Sequence, residues 1–344
     1  MKNDILVDDI EYIFKNINNK LFFRDKKILI TGASGFIGFY LSTFFISYFK
    51  ELKISKLYLV DLKIKKRKNL NKNIIIIKSD ILKLQIEKIN LDVIIHAASI
   101  ASPVFYRKFP LQTCDVNVDG LKKILDYAKN KKKISILYFS SSEIYGDPNK
   151  KNIPTKESYR GNVSCVGPRA CYDEAKRYCE TLSYIYATYY GVSVKVVRPF
   201  NNYGPGLNLT DGRAPADFAN SIKNDKDIEI FSNGKAKRSF CYISDACIGY
   251  INTISLNKYT ILNIGNPKEI SILELANIYK SLGKKIFRYK KKIKFKKNKD
   301  KNYNTDSPNR RCPDIQKAKL KIKFNPKISI LEGVERYLRY QNIK

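Results

Sequence analysis

Residues 26–45, KKILITGASGFIGFYLSTFF, decide how this chain folds. Ile28, Leu29 and Ile30 have the composition of a buried strand and run directly into Gly32, Gly35 and Gly38, after which apolar residues continue as a helix. Gly32 permits a tight turn, Gly35 lets the backbone approach a pyrophosphate, and Gly38 lets helix and strand pack closely. The helix start then offers free N–H groups and a partial positive charge to phosphate oxygens.

A glycine triplet alone is a weak signal, and the next strand strengthens it. LYLVD ends at Asp61, 23 residues beyond Gly38, where a carboxylate can accept from both hydroxyls of a ribose. An acid there favours NAD, because it repels the extra phosphate of NADP; Lys63, Lys65, Lys66 and Arg67 follow at once and leave NADP open. The alternation continues with strands at 74–77 (ending in Ser79 and Asp80) and 93–95 (ending in His96, Ala97 and Ala98). A helix with Leu121, Ile124, Leu125 and Ala128 on one face precedes a strand at 134–139, and a helix over about 172–190 precedes a strand at 193–197. Apolar strands separated by amphipathic helices predict an α/β fold, a Rossmann-type doubly wound parallel sheet that binds ligands at the carboxyl ends of its strands. Asp80, His96, Ser99 and Ser141 fall at those ends. In its small-residue setting His96 reads as a packed, hydrogen-bonded imidazole, not a base.

The chemistry concentrates between FSSSEIYGDP (139–148) and YDEAK (172–176). Tyr172 and Lys176 lie four apart and share a helix face, so the ammonium is expected beside the phenol, lowering its pKa from about 10. Ser141, delivered from a strand end, completes a hydrogen-bonded proton-transfer group.

The chain's 344 residues hold one large domain and a smaller companion, divided as a helical extension (1–25), a dinucleotide-binding domain (26–209) and a mainly substrate-binding α/β lobe (210–344). In the extension Val7, Ile10, Ile13, Phe14, Ile17 and Leu21 form one helical face for packing on the body or a second subunit. Arg213, Arg238, Arg310 and Arg311 sit in loops of the lobe, where forked guanidinium groups suit phosphate and carboxylate. No apolar run is long enough to span a membrane, and the acidic start MKNDILVDDI does not read as a signal peptide, so a soluble cytoplasmic protein is expected. The seven cysteines and single histidine suggest neither disulfides nor a metal site. A net charge of +33, densest at 63–72, 131–133 and 284–301, lacks any nucleic-acid-binding motif and fits attraction of a phosphorylated small molecule.

With TGASGFIG, Asp61, SSSEIYG and YDEAK in this order, residues 26–340 resemble the extended short-chain dehydrogenases/reductases that modify nucleotide-sugars. The segments ASIASPVFYRKFP, SSSEIYGDP, GNVSCVGPRACYDEAKRYCETL, RPFNNYGPG, DGRAPADFANSI, RSFCYISDA and RRCPDIQKAKLKIKFNP are most similar to UDP-glucuronate decarboxylases. The resemblance implies NAD held by Gly32, Gly35, Phe36, Ile37, Gly38, Asp61, Asp80, Ile81, Ala97, Ala98, Tyr172 and Lys176. It implies Tyr172 as base with Lys176 and Ser141, Glu143 as acid/base, and Arg311 at the sugar end. It also implies substrate contacts from Tyr106, Ser142 and Asn201, with Arg213 and Arg238 toward the nucleotide, and a homodimer through the helices at 115–129 and 172–190. The implied reaction is oxidation at C4, loss of carbon dioxide from C5 and re-reduction. Ser142, where dehydratases carry an acid, disfavours loss of water; a 4,6-dehydratase, an epimerase, and a binding protein that has lost catalysis remain alternatives.

Overall fold

The computed structural model describes residues 2–65, 69–131, 133–297 and 308–342, with strands and helices numbered here in chain order. A helix α1 (Lys2–Asn16) precedes β1 (Lys27–Thr31), and the glycine turn leads into α2 (Phe36–Ser47). There follow β2 (Lys56–Asp61), β3 (Ile74–Lys78), β4 (Val93–His96), α3 (Pro103–Lys108), α4 (Pro110–Lys129), β5 (Ser135–Phe139), α5 (Ala170–Tyr190) and β6 (Ser193–Pro199). Among the described residues seven strands form one sheet in the order β11-β6-β5-β4-β1-β2-β3, with β11 at Thr260–Ile264. Every pairing in it is parallel.

Alternation along β1 shows why the strands read as unbroken apolar runs. Ile28 and Ile30 join the core on one face, with Phe44 and Phe45 of α2, while Leu29 joins the core on the other, with Leu121 and Leu125 of α4. Strand order reverses on either side of β1, whose neighbours are β2 and β4. Thr31 is in register with Val60 and His96, so three strand ends open level with one another into the crevice at that reversal.

The lobe is made of small sheets and helices. β7 (Asn202–Tyr203) pairs with β10 (Cys241–Tyr242), β8 (Ile228–Ile230) with β13 (Ile293–Phe295), and β9 (Lys237–Ser239) lies between β12 (Glu269–Ser271) and β14 (Arg310–Arg311). Around them are α6 (Ala214–Lys223), α8 (Ile272–Phe287) and α10 (Ile330–Asn342), while α9 (Gln316–Ile322) packs on β11 of the large sheet. The chain does not stay in the lobe after residue 210, because α7 (Ile243–Ile254) packs on the large sheet and β11 extends it. Of the basic runs, residues 66–68, 132 and 298–301 lie outside the described residues.

The helix read over 7–21 runs instead from Lys2 to Asn16, followed by a short turn of 3₁₀ helix at Lys20–Phe23 capped by the Asn19 side chain. Ile10, Ile13 and Ile17 are buried against the body, but Val7 and Leu21 are exposed. The reason is a buried polar contact that sets the helix rotation. Asp9, fully buried, accepts from Tyr40 Oη at 2.9 Å, Tyr242 Oη at 2.7 Å and Arg336 Nη1 at 2.9 Å. Burial pushes its carboxyl up to about 6 despite these three donors.

Candidate active site

The crevice at the strand reversal is built for a pyrophosphate. Gly32 has φ +66°, and a Cβ on it would lie 2.6–2.7 Å from backbone atoms of Ala97 and Ala98. A Cβ on Gly38 would lie 1.9 Å from the Gly32 carbonyl oxygen, so only glycine lets α2 start this close to β1. Gly35 caps α2 without any side-chain hydrogen bond, which leaves the first-turn N–H groups of Phe36, Ile37 and Gly38 facing the cleft. Asp61 ends β2, its carboxylate accepting from the N–H of Ser34 at 3.0 Å and of Lys63 at 2.8 Å. Two acceptor lone pairs remain for ribose hydroxyls. Asp80 ends β3 and caps a turn by accepting from Leu82 N–H at 3.0 Å, while Ile81 packs as a buried core side chain. Gly35 to Gly38 and Ala97 line the same cleft as the reactive groups below. These donors fit a dinucleotide.

The cleft, about 340 Å³, continues from that turn to the start of α5. β5 delivers Ser140, Ser141, Ser142 and Glu143 at its carboxyl end, and the Ser141 hydroxyl accepts from Glu143 N–H at 3.2 Å, holding the turn. Tyr172, in the first turn of α5, is buried; the Ser141 hydroxyl beside its phenol favours the phenolate, and its ring stacks on Tyr106 at 5.2 Å and 13°. The set expected from sequence is therefore assembled, with one difference. Lys176 does not make Tyr172 more acidic: its Nζ donates to the Phe139 carbonyl at 2.7 Å and sits 5.7 Å from the centre of the Tyr172 ring. Burial pushes Tyr172 up to about 12 against the pull of Ser141, and burial pushes Lys176 down to about 8. His96 is the packed imidazole expected: Nδ1 is 2.8 Å from Thr31 Oγ1, and burial, with Lys176 adding, pushes it down to about 3.

Behind the phenol the site is governed by arginines. Arg311 of β14 is 3% exposed and contacts one oxygen of Glu143 through Nη1; Arg169, just before α5, contacts the other through Nη2. Burial alone raises a carboxyl, but Arg311, Arg169 and Arg238 overcome it and hold Glu143 well below the usual carboxylate range. Glu143, the acid/base implied by the resemblance, is thus held here as a clamped anion. Asp173 is buried and accepts from Arg169 Nε at 3.4 Å; burial first, and Glu143 next, push its carboxyl upward. Arg213 also lines the cleft and forks onto Asp211, with Nη2 to Oδ2 at 3.0 Å. Arg238 lines it from the lobe, its Nη1 donating to the Lys237 carbonyl at 2.9 Å. Burial, then Arg311 and Arg169, push Arg238 down to about 10. Arg310 turns away and pairs with Glu269, at 2.8 and 2.9 Å from Nε. Ser142 and Asn201 line the cleft, Asn201 with φ 40° and its amide donating to Ser239 O at 2.9 Å.

Arg169 and Asp173 were missed by the sequence reading. Their i, i+4 spacing was legible as an ion pair, but nothing local showed that a β-strand turn 26 residues earlier would place Glu143 on the other side of Arg169. Among the described residues no group of three or more His, Cys, Asp or Glu side chains is placed to hold a metal ion.

Comparison with known proteins agrees with this geometry. Residues 28–265 match the model of the NAD dependent epimerase/dehydratase family. The chain is 36% identical over 321 residues to UDP-glucuronic acid decarboxylase 6 of Arabidopsis thaliana, covering 92% of this chain and 89% of the relative. It is 35% identical over 321 residues to UDP-glucuronic acid decarboxylase 1 of Danio rerio, covering 92% and 72%. In fold it resembles UDP-glucose 4-epimerase of Thermotoga maritima solved with UDP-glucose (TM-score 0.78, 23% identity, 91% of this chain and 98% of that one). It also resembles UDP-glucuronic acid 4-epimerase of Bacillus cereus solved with UDP-glucuronic acid and NAD (TM-score 0.75, 24% identity, 92% and 98%). A phosphate-binding turn, a buried tyrosine beside a lysine and this breadth of similarity lead to one conclusion: the chain belongs to the NAD dependent epimerase/dehydratase family.

Proposed function

We propose that this protein is a UDP-glucuronate decarboxylase that uses NAD. The observation that carries the reading is the charge of the cleft: five arginines, Arg107, Arg169, Arg213, Arg238 and Arg311, line the space that holds Tyr172. A substrate with a diphosphate at one end and a carboxylate at the reacting end matches that array. The relatives named as UDP-glucuronic acid decarboxylases support the same choice.

Bound NAD supplies reversible hydride acceptance at C4 of the sugar. Tyr172 takes the C4 hydroxyl proton as that alcohol is oxidised, and Ser141 passes a hydrogen bond to the phenolate. The resulting ketone lies β to the carboxylate and accepts the electrons released with carbon dioxide. Tyr106, stacked on Tyr172, walls the sugar side and excludes water. Lys176 holds the Phe139 carbonyl and so fixes α5 on the end of β5.

Incubation with UDP-glucuronate tests the reading: release of carbon dioxide with loss of the carboxyl mass is expected. Unchanged mass with an inverted C4 would replace the reading with a 4-epimerase, to which the clamped Glu143 lends support because epimerisation at C4 needs no acid at C5. Loss of water would mean a dehydratase. A homodimer through the outer faces of α4 and α5 belongs to the proposal, supported by the exposure of Tyr178 and Tyr189 on α5. So does a cytoplasmic setting, supported by seven free cysteines.

A further inference from the structure

Glu143 is held as a bound ligand would be held. One guanidinium takes each of its oxygens, from segments 142 residues apart in sequence, Arg169 before α5 and Arg311 on β14. Both arginines are largely buried, with side chains 15% and 4% exposed. The donors are not used up. Arg311 Nε is buried and has no hydrogen-bond partner, and its Nη2 reaches only the Gly146 carbonyl, at 3.4 Å. Asp173 steadies Arg169 from behind through Nε, while its own Oδ1 is buried without a partner. Charged groups out of water and short of partners are costly, so the arrangement is suited to a further carboxylate or to an exchange of one for another.

We propose that Arg169 and Arg311 together form the receptor for the substrate's sugar carboxylate, that the Glu143 side chain occupies this receptor in the free protein, and that the arriving carboxylate displaces it. This inference rests on the decarboxylase reading and adds the recognition step to it. Asp173 is the seat that keeps Arg169 in place during the exchange, since it holds the guanidinium through Nε while Glu143 takes Nη2. Once displaced, Glu143 loses the two cations that keep it ionised and becomes able to carry a proton beside the phenol of Tyr172. A sugar with a neutral hydroxymethyl group has no charge to compete with Glu143 and leaves the clamp closed. Specificity and activation therefore come from the same displacement. Arg169 is a specificity residue that no reading of YDEAK alone would include.

The test is calorimetric binding of UDP-glucuronate and of UDP-glucose to the NAD-loaded protein and to its Arg169→Gln and Arg169→Lys variants, with carbon dioxide release measured alongside. Loss of a charge-assisted contact predicts a 10- to 100-fold (on the order of 1.5–3 kcal/mol) weaker binding of UDP-glucuronate by Arg169→Gln, with UDP-glucose binding changed less than about twofold. Arg169→Lys keeps the charge and loses the fork, and an intermediate loss confined to UDP-glucuronate is expected. Equal losses for both nucleotide-sugars, or no loss for either, would overturn the receptor. If the wild-type protein releases carbon dioxide while both variants keep its preference for UDP-glucuronate, this inference fails and the decarboxylase reading stands. If the wild type releases none and binds the two sugars alike, both fall.

Discussion

Tyr172 faces its chemistry with a phenol that burial has made less acidic, beside a lysine that burial has made less basic. In the proposed mechanism the competent state is the phenolate with Lys176 still charged and holding the Phe139 carbonyl, and the product of those two fractions sets the pH dependence. Below about pH 8 Lys176 is charged and the phenolate fraction rises tenfold per unit, so kcat/KM is expected to climb with that slope. Above about 8 the gain in phenolate is cancelled by loss of the ammonium, and the profile levels. A profile flat between pH 6 and 8 would contradict this pairing. Tyr172→Phe is expected to lower turnover by about 10²–10⁴-fold while bound NAD, measured by absorbance after gel filtration, stays at the wild-type level. At this scale the members of the proposed proton-transfer group were legible in the sequence, since YxxxK and SSSE gain meaning from the glycine turn upstream. Their charge states were not, because burial sets those of Tyr172 and Lys176, and that of Glu143 depends on Arg311 and Arg169 arriving from segments far apart in the chain.

Elements carry the site through two tight places. At the start of α2 a methyl group on Gly38 would collide with the Gly32 carbonyl, and neither backbone segment can yield without opening the phosphate turn. Gly38→Ala is therefore expected to lower stability by about 1–3 kcal/mol and to release NAD, seen as a lower melting temperature and loss of cofactor absorbance. The other is β6, where Lys195 is 1% exposed and its Nζ donates only to hydroxyls, Ser135 Oγ and Ser193 Oγ, each at 2.7 Å. Burial pushes this lysine down to about 8. Between pH 8 and 10.5 the unfolded chain then binds more protons than the folded one, so this residue makes stability rise with pH across that window. Lys195→Met is expected to add about 1–2 kcal/mol at pH 7, read from urea unfolding, with the gain shrinking as pH approaches 10.5. Strands β1 to β6 were legible as apolar runs bounded by turn residues, and α4 by its single apolar face of Leu121, Ile124, Leu125 and Ala128. Helix α1 was misplaced because the contact fixing its rotation, Asp9 with Tyr40, Tyr242 and Arg336, spans the chain and leaves no local pattern.

For the molecule as a whole, the sheet reaches past the boundary that composition suggested near residue 210, since β11 and α7 complete what β1 to β6 begin. Loop-rich texture marked the lobe, but a strand of ordinary apolar composition gives no sign of which sheet it will join. The outer face of α5 gives the test of assembly. Tyr178→Asp with Tyr189→Asp is expected to halve the mass seen by light scattering if the homodimer forms there, and an unchanged mass would remove this face from assembly.

The carboxylate of Asp9 binds Arg336, 327 residues later. Helix α1 is covered in stages: α2 and α7 supply most of the surface it packs on, together with the Tyr40 and Tyr242 hydroxyls, and the cation of α10 is the last partner its buried carboxylate meets. Removing that cation leaves a desolvated carboxylate with two neutral donors, so a change in α10 is felt as a loosened grip on a helix more than three hundred residues away.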